Sequence, residues 1–321
     1  MTASDSSKQT TLRTRLINIA KIGLTVVAVG YLVYVAKPDQ ILAYLRVMDK
    51  RLLIGILVLK FITDIFKIWK WLILARVEEA DFSYWKAFKS FYMGIALAVI
   101  TPFAIGELGR GALISQEHKA ELSGLVMLDK VFDLATVALF SFSGLLVLNG
   151  KSGLIVLLIA AYLTGMILIQ HLVRLVEKLD FIGIFKLKIV NRLAASIRQV
   201  SARIVLQSAL LSVVYFSLFY LQAYLIMLSY GESFPLDVVL YFPLITLSTI
   251  IPITIGGVGI REGTAILLLR QYGVSEALAF NTFFMHFVIA NVVAGLLGAI
   301  LFLTPQKKSS SPQTVVDRKQ G

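Results

Sequence analysis

The chain has 321 residues, no cysteine and a formal net charge of +12. Without cysteine there are no disulfides, thiolate metal centres or cysteine nucleophiles. With 58% hydrophobic residues, a mean hydropathy of +0.82 and several apolar stretches of the ~20 residues that a spanning helix needs, it reads as an all-α integral membrane protein.

A β-barrel would show ~10-residue alternating segments, which are absent. In this setting the positive charge reads as topology and as attraction to anionic lipid headgroups, with no nucleic acid implied. Residues 1–15 are polar and read as a cytoplasmic tail. Residues 16–36 form the first predicted span, too long for a signal peptide and without an A-x-A-like cleavage site. A second span, 52–75, contains Lys60, Asp64 and Lys67. A charged loop or interfacial helix follows over 76–90, and 87–104 runs apolar into a proline-glycine motif. Spans are predicted at 122–148 and 153–172, then a basic segment, 173–203, with seven Lys and Arg and an amphipathic surface helix. Residues 204–229 span again, 237–251 run into a second proline-glycine motif, 260–270 leave it, and 276–303 make the last span. The tail 304–321 is rich in Ser, Lys and Gln and reads as disordered and cytoplasmic. Together, 16–303 read as one polytopic membrane domain with halves at about 52–148 and 204–303.

The two motifs share the pattern P-x-x-I-G-x-Φ-G, Φ being Leu or Val, and lie about 150 residues apart. The first runs from Pro102 through Gly106, Glu107 and Gly109 to Arg110. The second runs from Pro252 through Gly256, Gly257 and Gly259 to Arg261 and Glu262. Broken helices at matching points of two halves are the best sequence pointer to a transport site. Taking each motif as the tip of a re-entrant hairpin gives about six full crossings. The flanks on one side then hold 19 Lys and Arg against 6 on the other, which places both termini in the cytoplasm. Three crossings between the motifs make the halves inverted repeats, the first hairpin entering from the cytoplasm and the second from outside.

Backbone freed by proline and glycine is tolerated at membrane depth only inside protein or beside a water-filled cavity. Helices starting after Gly109 and Gly259 would aim positive dipole ends at the breaks, and Arg110 and Arg261 would add full charges. That combination suits a phosphate; small residues at such positions equally serve tight helix packing. Glu107 and Glu262 are placed to pair with the arginines or to couple to protons. Asp129 and Asp133 share one helical face while Lys130 points about 100° away. Lys60, Asp64 and Lys67 form one stripe, readable as an ion-pair ladder facing a polar cavity. Asn281, His286 and Asn291 read as interhelical hydrogen-bonding groups. No cofactor or metal is called for, no H-x-x-x-H spacing occurs, and G-x-S-x-G and Walker A motifs are absent, so no enzyme is expected.

P-x-x-I-G-E-L-G-R ending at Arg110, L-D-K-V-F-D from Leu128 to Asp133, and P-I-T-I-G-G-V-G-I-R-E ending at Glu262 resemble the flippase-like membrane domain of lysylphosphatidylglycerol synthases. The resemblance covers nearly the whole chain and implies a prokaryotic inner-membrane protein. In that family a cytoplasmic domain makes aminoacylated phosphatidylglycerol and the membrane domain moves it between leaflets. With no synthase domain before residue 321, the resemblance implies translocation of an anionic phospholipid or lipid-linked precursor rather than aminoacyl transfer. Two other functions fit the residues. One is a membrane scaffold or regulator of a separate cytoplasmic glycosyltransferase or lipid synthase, carried by 173–203. The other is an ion-coupled transporter of small solutes.

Overall fold

The computed structural model describes residues 38–115, 117–180, 195–249 and 259–303. The tails 1–15 and 304–321, the predicted span 16–36, residues 181–194 of the basic segment, and Pro252, Gly256 and Gly257 of the second motif lie outside the described residues.

All regular structure among the described residues is helical. Helix α1 (Pro38–Val47) leads into α2 (Lys50–Ala75) and α3 (Tyr84–Ile100). The first motif, Pro102–Gly109, is a 3-10 helix, followed by the short α4 (Arg110–Ile114). Then come α5 (Lys119–Leu148), α6 (Ile155–Asp180) and α7 (Ala202–Leu228). A 3-10 turn (Leu236–Tyr241) opens α8 (Phe242–Ser248), and α9 (Ile260–Leu269) follows the second motif. Helix α10 (Glu276–Phe287), a π-helical turn (Val288–Val292) and α11 (Val293–Leu303) form one continuous rod. Helix α6 runs eight residues past the predicted end of its span, into the basic segment.

Four starts are fixed by side-chain caps, which satisfy N–H groups that a first helical turn leaves open. Asp49 accepts from the Arg51 and Leu52 amides, and Ser83, Ser201 and Ser275 each accept from the amide three residues on. Helices α5, α7 and the rod Glu276–Leu303 are long and apolar enough to cross a membrane. Helix α2, with 26 residues and so about 39 Å long, is long enough too, but its polarity is inside out. Its outer stripe, Ile54, Val58, Phe61, Ile65 and Trp69, is exposed, whereas Lys60, Asp64, Lys67 and Lys70 are buried. This is the pattern expected where the outside is hydrocarbon.

The first motif turns the chain back on itself. Thr101 is extended (φ −109°, ψ 140°), as the residue before a proline prefers, and its hydroxyl donates to the Leu97 carbonyl and accepts from the Gly106 amide, both at 2.8 Å. The returning segment runs antiparallel to α3. A Cβ at Gly106 would sit 2.6 Å from the Leu97 carbonyl oxygen, and one at Gly94 would sit 2.9 Å from the Arg110 Cβ. The second motif is flanked by a similar pair, with α8 packed on α9.

The hairpin arms dock crosswise. Helix α3, the first arm of the first hairpin, packs on α11, the final span of the second half. Helix α8, the first arm of the second, packs on α5, the final span of the first half. Glycines allow both approaches: Gly298 lies against the Tyr92 carbonyl of α3, and Gly144 lies against the Leu240 carbonyl of the 3-10 turn that opens α8, where a Cβ would overlap backbone. Helices α2 and α7 pack together between them, joined by a hydrogen bond of 3.1 Å from Gln222 Nε2 to the Ile56 carbonyl. The two largest apolar cores lie around Trp71, Phe82, Phe91 and Phe132, where Val205, Ala209, Ala294 and Leu301 join them, and around Phe216, Phe242, Leu269 and Phe283, where Val137 joins them.

Candidate functional site

At the root of the first hairpin, α2, the 3-10 helix of the first motif, α4 and α5 bring seven ionisable side chains together. Lys70 Nζ is 2.7 Å from Asp129 Oδ1, an ion pair without hydrogen-bond alignment. It also donates to Asp133 Oδ1 at 2.6 Å and to Ser212 Oγ at 2.9 Å. Lys67 pairs with Asp133, lies 3.6 Å from Asp129 Oδ2, and sits 5.0 Å from the centre of the Tyr215 ring. Arg110 is fully buried. It donates to Asp129 Oδ2 at 2.6 Å and to Glu107 Oε1 at 3.1 Å, and its guanidinium lies 4.4 Å over the Trp71 ring. Trp71 is held in turn by its Nε1–H, which donates to Ser90 Oγ at 2.8 Å. The other Glu107 oxygen pairs with Lys130, whose side chain is 40% exposed.

With every group ionised, four cations (Lys67, Lys70, Arg110, Lys130) face three carboxylates (Glu107, Asp129, Asp133), so the cluster carries one excess positive charge. Burial of single charges costs several kcal/mol each even after relaxation, so the set persists because each is paired. Further along α2, Lys60 pairs with Asp64, whose second oxygen accepts from the Tyr92 hydroxyl at 2.7 Å.

Of the α2 stripe, Lys67 thus meets the two aspartates, whereas Lys60 and Asp64 pair with each other apart from them, and Lys130, on its separate face, reaches Glu107. Arg110, read from sequence as a phosphate ligand, sits inside this network with its guanidinium held by protein groups. Gly109 has ordinary right-handed geometry (φ −73°, ψ −9°), and a Cβ there would meet nothing within 4 Å. Gly109→Ala is therefore expected to leave stability within about 0.5 kcal/mol of wild type in a thermal unfolding assay. A stability loss well beyond that would show that the close packing extends to this position.

At the second motif, Gly259 has φ +90°, a conformation that L side chains rarely adopt. Its N–H donates to Glu262 Oε2 at 2.6 Å, closing the start of α9. The other oxygen, Oε1, takes Arg261 Nε at 3.1 Å and Nη2 at 2.5 Å. The Arg261 guanidinium lies 4.8 Å from the centre of the Phe287 ring. Beside it is a cavity of about 190 Å³ whose polar lining includes Tyr220, Thr246, Thr249, Arg261, His286 and Asn291. Arg110 is thus enclosed, whereas Arg261 faces open space.

Sequence reasoning missed Lys70, Trp71, Tyr92 and Ser212. Lys70 was findable, since it extends the stripe of Lys60, Asp64 and Lys67 by another three residues. Among the described residues the expected interhelical bonds of His286 and Asn291 are not seen: His286 Nε2 has no hydrogen-bond partner there, and the Asn291 amide reaches the Phe287 carbonyl of its own rod, at 3.5 Å.

The family described as Lysylphosphatidylglycerol synthase TM region matches residues 18–298, which includes both hairpins and both charged sites. The chain belongs to this family. Comparison with curated proteins and with solved structures returns no match. Membership in the Lysylphosphatidylglycerol synthase TM region family places the chain among membrane proteins of lipid metabolism, consistent with its long apolar helices.

Proposed function

We propose that this protein moves an anionic lipid headgroup between the leaflets of the cell membrane. The observation that carries this is the crosswise docking of two helix pairs, one broken at the first P-x-x-I-G-x-Φ-G motif and the other flanking the second, with buried charge at the root of one and an arginine-lined cavity at the other. Matching breaks in two halves are what inverted-repeat transporters use to build a central site. In this account the halves are inverted repeats, both termini are cytoplasmic and the hairpins enter from opposite faces. Arg110 braces the first hairpin from within, while Arg261 and the half-exposed Lys130 are the cations a phosphate meets. The acyl chains stay in lipid along the exposed apolar faces. The chain's own residues supply no nucleotide hydrolysis and no catalytic step, so movement is passive or driven by an ion gradient.

The test is photo-crosslinking in vesicles with a phosphatidylglycerol carrying a diazirine in its headgroup. Labelled peptides from 242–249, 259–269 and 276–292 are expected, with labelling lost in Arg261→Gln. Labelling confined to outward faces, such as the Phe61 and Trp69 stripe, and unchanged in that variant would reject the proposal.

A further inference from the structure

The cavity beside Arg261 has a chemistry of its own. Among the described residues no free carboxylate lines it, and Glu262 beside Arg261 is occupied on both oxygens, one by Arg261 and the other by the Gly259 amide. A cationic group entering the cavity would meet a guanidinium and nothing to pair with. The remaining polar lining is neutral. Thr246 Oγ1 donates to the Phe242 carbonyl at 3.0 Å and Thr249 Oγ1 donates to the Thr246 carbonyl at 2.7 Å. Both hydroxyls have therefore used their hydrogens and keep lone pairs to offer. His286 is one of the lining residues, 3% exposed, and its Nε2 is buried with no hydrogen-bond partner among the described residues. An unpaired buried polar atom of this kind is costly to keep. Asn291, presented by the π-helical turn, adds both a donor and an acceptor. Such π-turns recur at functional sites. The rest of the wall is aromatic: Phe219 and Phe283 line it, with the Phe219 and His286 ring centres 4.2 Å apart.

We infer that this cavity binds an uncharged, hydroxyl-rich moiety, a glycosyl, inositol or glycerol group, and rejects a cationic aminoacyl group. Each hydroxyl brings both a donor and an acceptor, which the lone pairs of the threonines and the asparagine amide match, with the His286 ring in the wall beside them. The aromatic walls suit the apolar face of a ring, and the volume holds one ring of hexose size. Arg261 is left at the edge for an adjoining phosphate. This deepens the lipid-translocation proposal and rests on it only in that the hydroxyl-rich group arrives on a lipid.

The experiment measures affinity of the purified full chain for dihexanoyl phosphatidylinositol, dihexanoyl phosphatidylglycerol, the lysyl ester of the latter, and free myo-inositol. The two lipids whose phosphate bears an uncharged inositol or glycerol are expected to bind about tenfold or more tighter than the lysyl form. His286→Phe and Thr249→Val, each checked for a single folded species by gel filtration, should erase that preference, while His286→Gln keeps part of it. Lysyl-lipid binding as tight as the others, or a preference untouched by both variants, overturns the inference. Free myo-inositol binding as well as the inositol lipid would uphold the hydroxyl-rich chemistry and overturn its lipid source. If none of these probes binds while fluorescent phosphatidylglycerol still crosses vesicles, the inference falls and the translocation proposal stands. If binding follows the expected order and no lipid crosses, the reverse holds.

Discussion

Asp129→Asn is expected to be the most destabilising single substitution at the charged site, costing about 3–5 kcal/mol. This carboxylate is fully buried and touches three cations, Arg110 at 2.6 Å, Lys70 at 2.7 Å and Lys67 at 3.6 Å. An amide of the same shape takes away the charge and leaves four cations against two carboxylates around a fully buried position. The excess charge of the cluster doubles. The comparison is Asp64→Asn, whose carboxylate serves only Lys60 and the Tyr92 hydroxyl, and a smaller loss is expected there. Adding Lys67→Met to Asp129→Asn restores the charge balance and should recover part of the loss, a coupling that a double-mutant cycle reads directly. Unfolding in mixed detergent micelles measures all of these. If Asp129→Asn falls within about 1 kcal/mol of wild type, the ion pairs do not hold the first hairpin in place.

Gly298→Val is expected to cost about 3 kcal/mol, the upper part of the range for overpacking. A Cβ at this position overlaps the Tyr92 carbonyl and comes 3.0 Å from the Ala96 Cβ, and a backbone carbonyl cannot swing aside as a side chain can. Helix α3 must move as a body. It carries Tyr92 away from Asp64 and takes with it the returning segment that positions Arg110. Gly55→Ala is the control: it lies on the exposed face of α2, with nothing within 4 Å of a Cβ, and there the change should be neutral or stabilising by up to about 1 kcal/mol. Equal effects at Gly298 and Gly55 would mean that the crosswise contact of α3 with α11 is not tight.

Much of this architecture was readable in the chain. The predicted spans 52–75, 122–148, 204–229 and 276–303 match observed helices within three residues at either end, because length and apolar composition dominate in hydrocarbon and the Asp and Ser caps mark the starts. Proline and glycine announced the break at 102–109, where a 3-10 helix stands. The i, i+4 spacing put Asp129 and Asp133 on an inward face, and the α2 stripe likewise. The pairings between them were hidden, because Lys67 and Asp133 are 66 residues apart and no local spacing joins them. The same holds for Arg110, whose arginine-glycine context suggests an open anion site. Only the packing shows that Asp129, Glu107 and Trp71 enclose it. The cavity at Arg261 draws on α7, α8, α9, α10 and the π-helical turn, and the unpaired state of His286 is a property of their assembly rather than of any motif.

The central claim is lipid movement through the protein, and its most direct measurement is the rate at which fluorescent phosphatidylglycerol in proteoliposomes becomes accessible to dithionite. With wild-type protein, reduction should proceed well beyond the outer-leaflet share, and Arg261→Gln, still folded, should slow it about tenfold, equivalent to roughly 1.4 kcal/mol on the barrier. Reduction that stops at the outer-leaflet share, as in protein-free vesicles, or an unchanged rate in Arg261→Gln, would contradict the account.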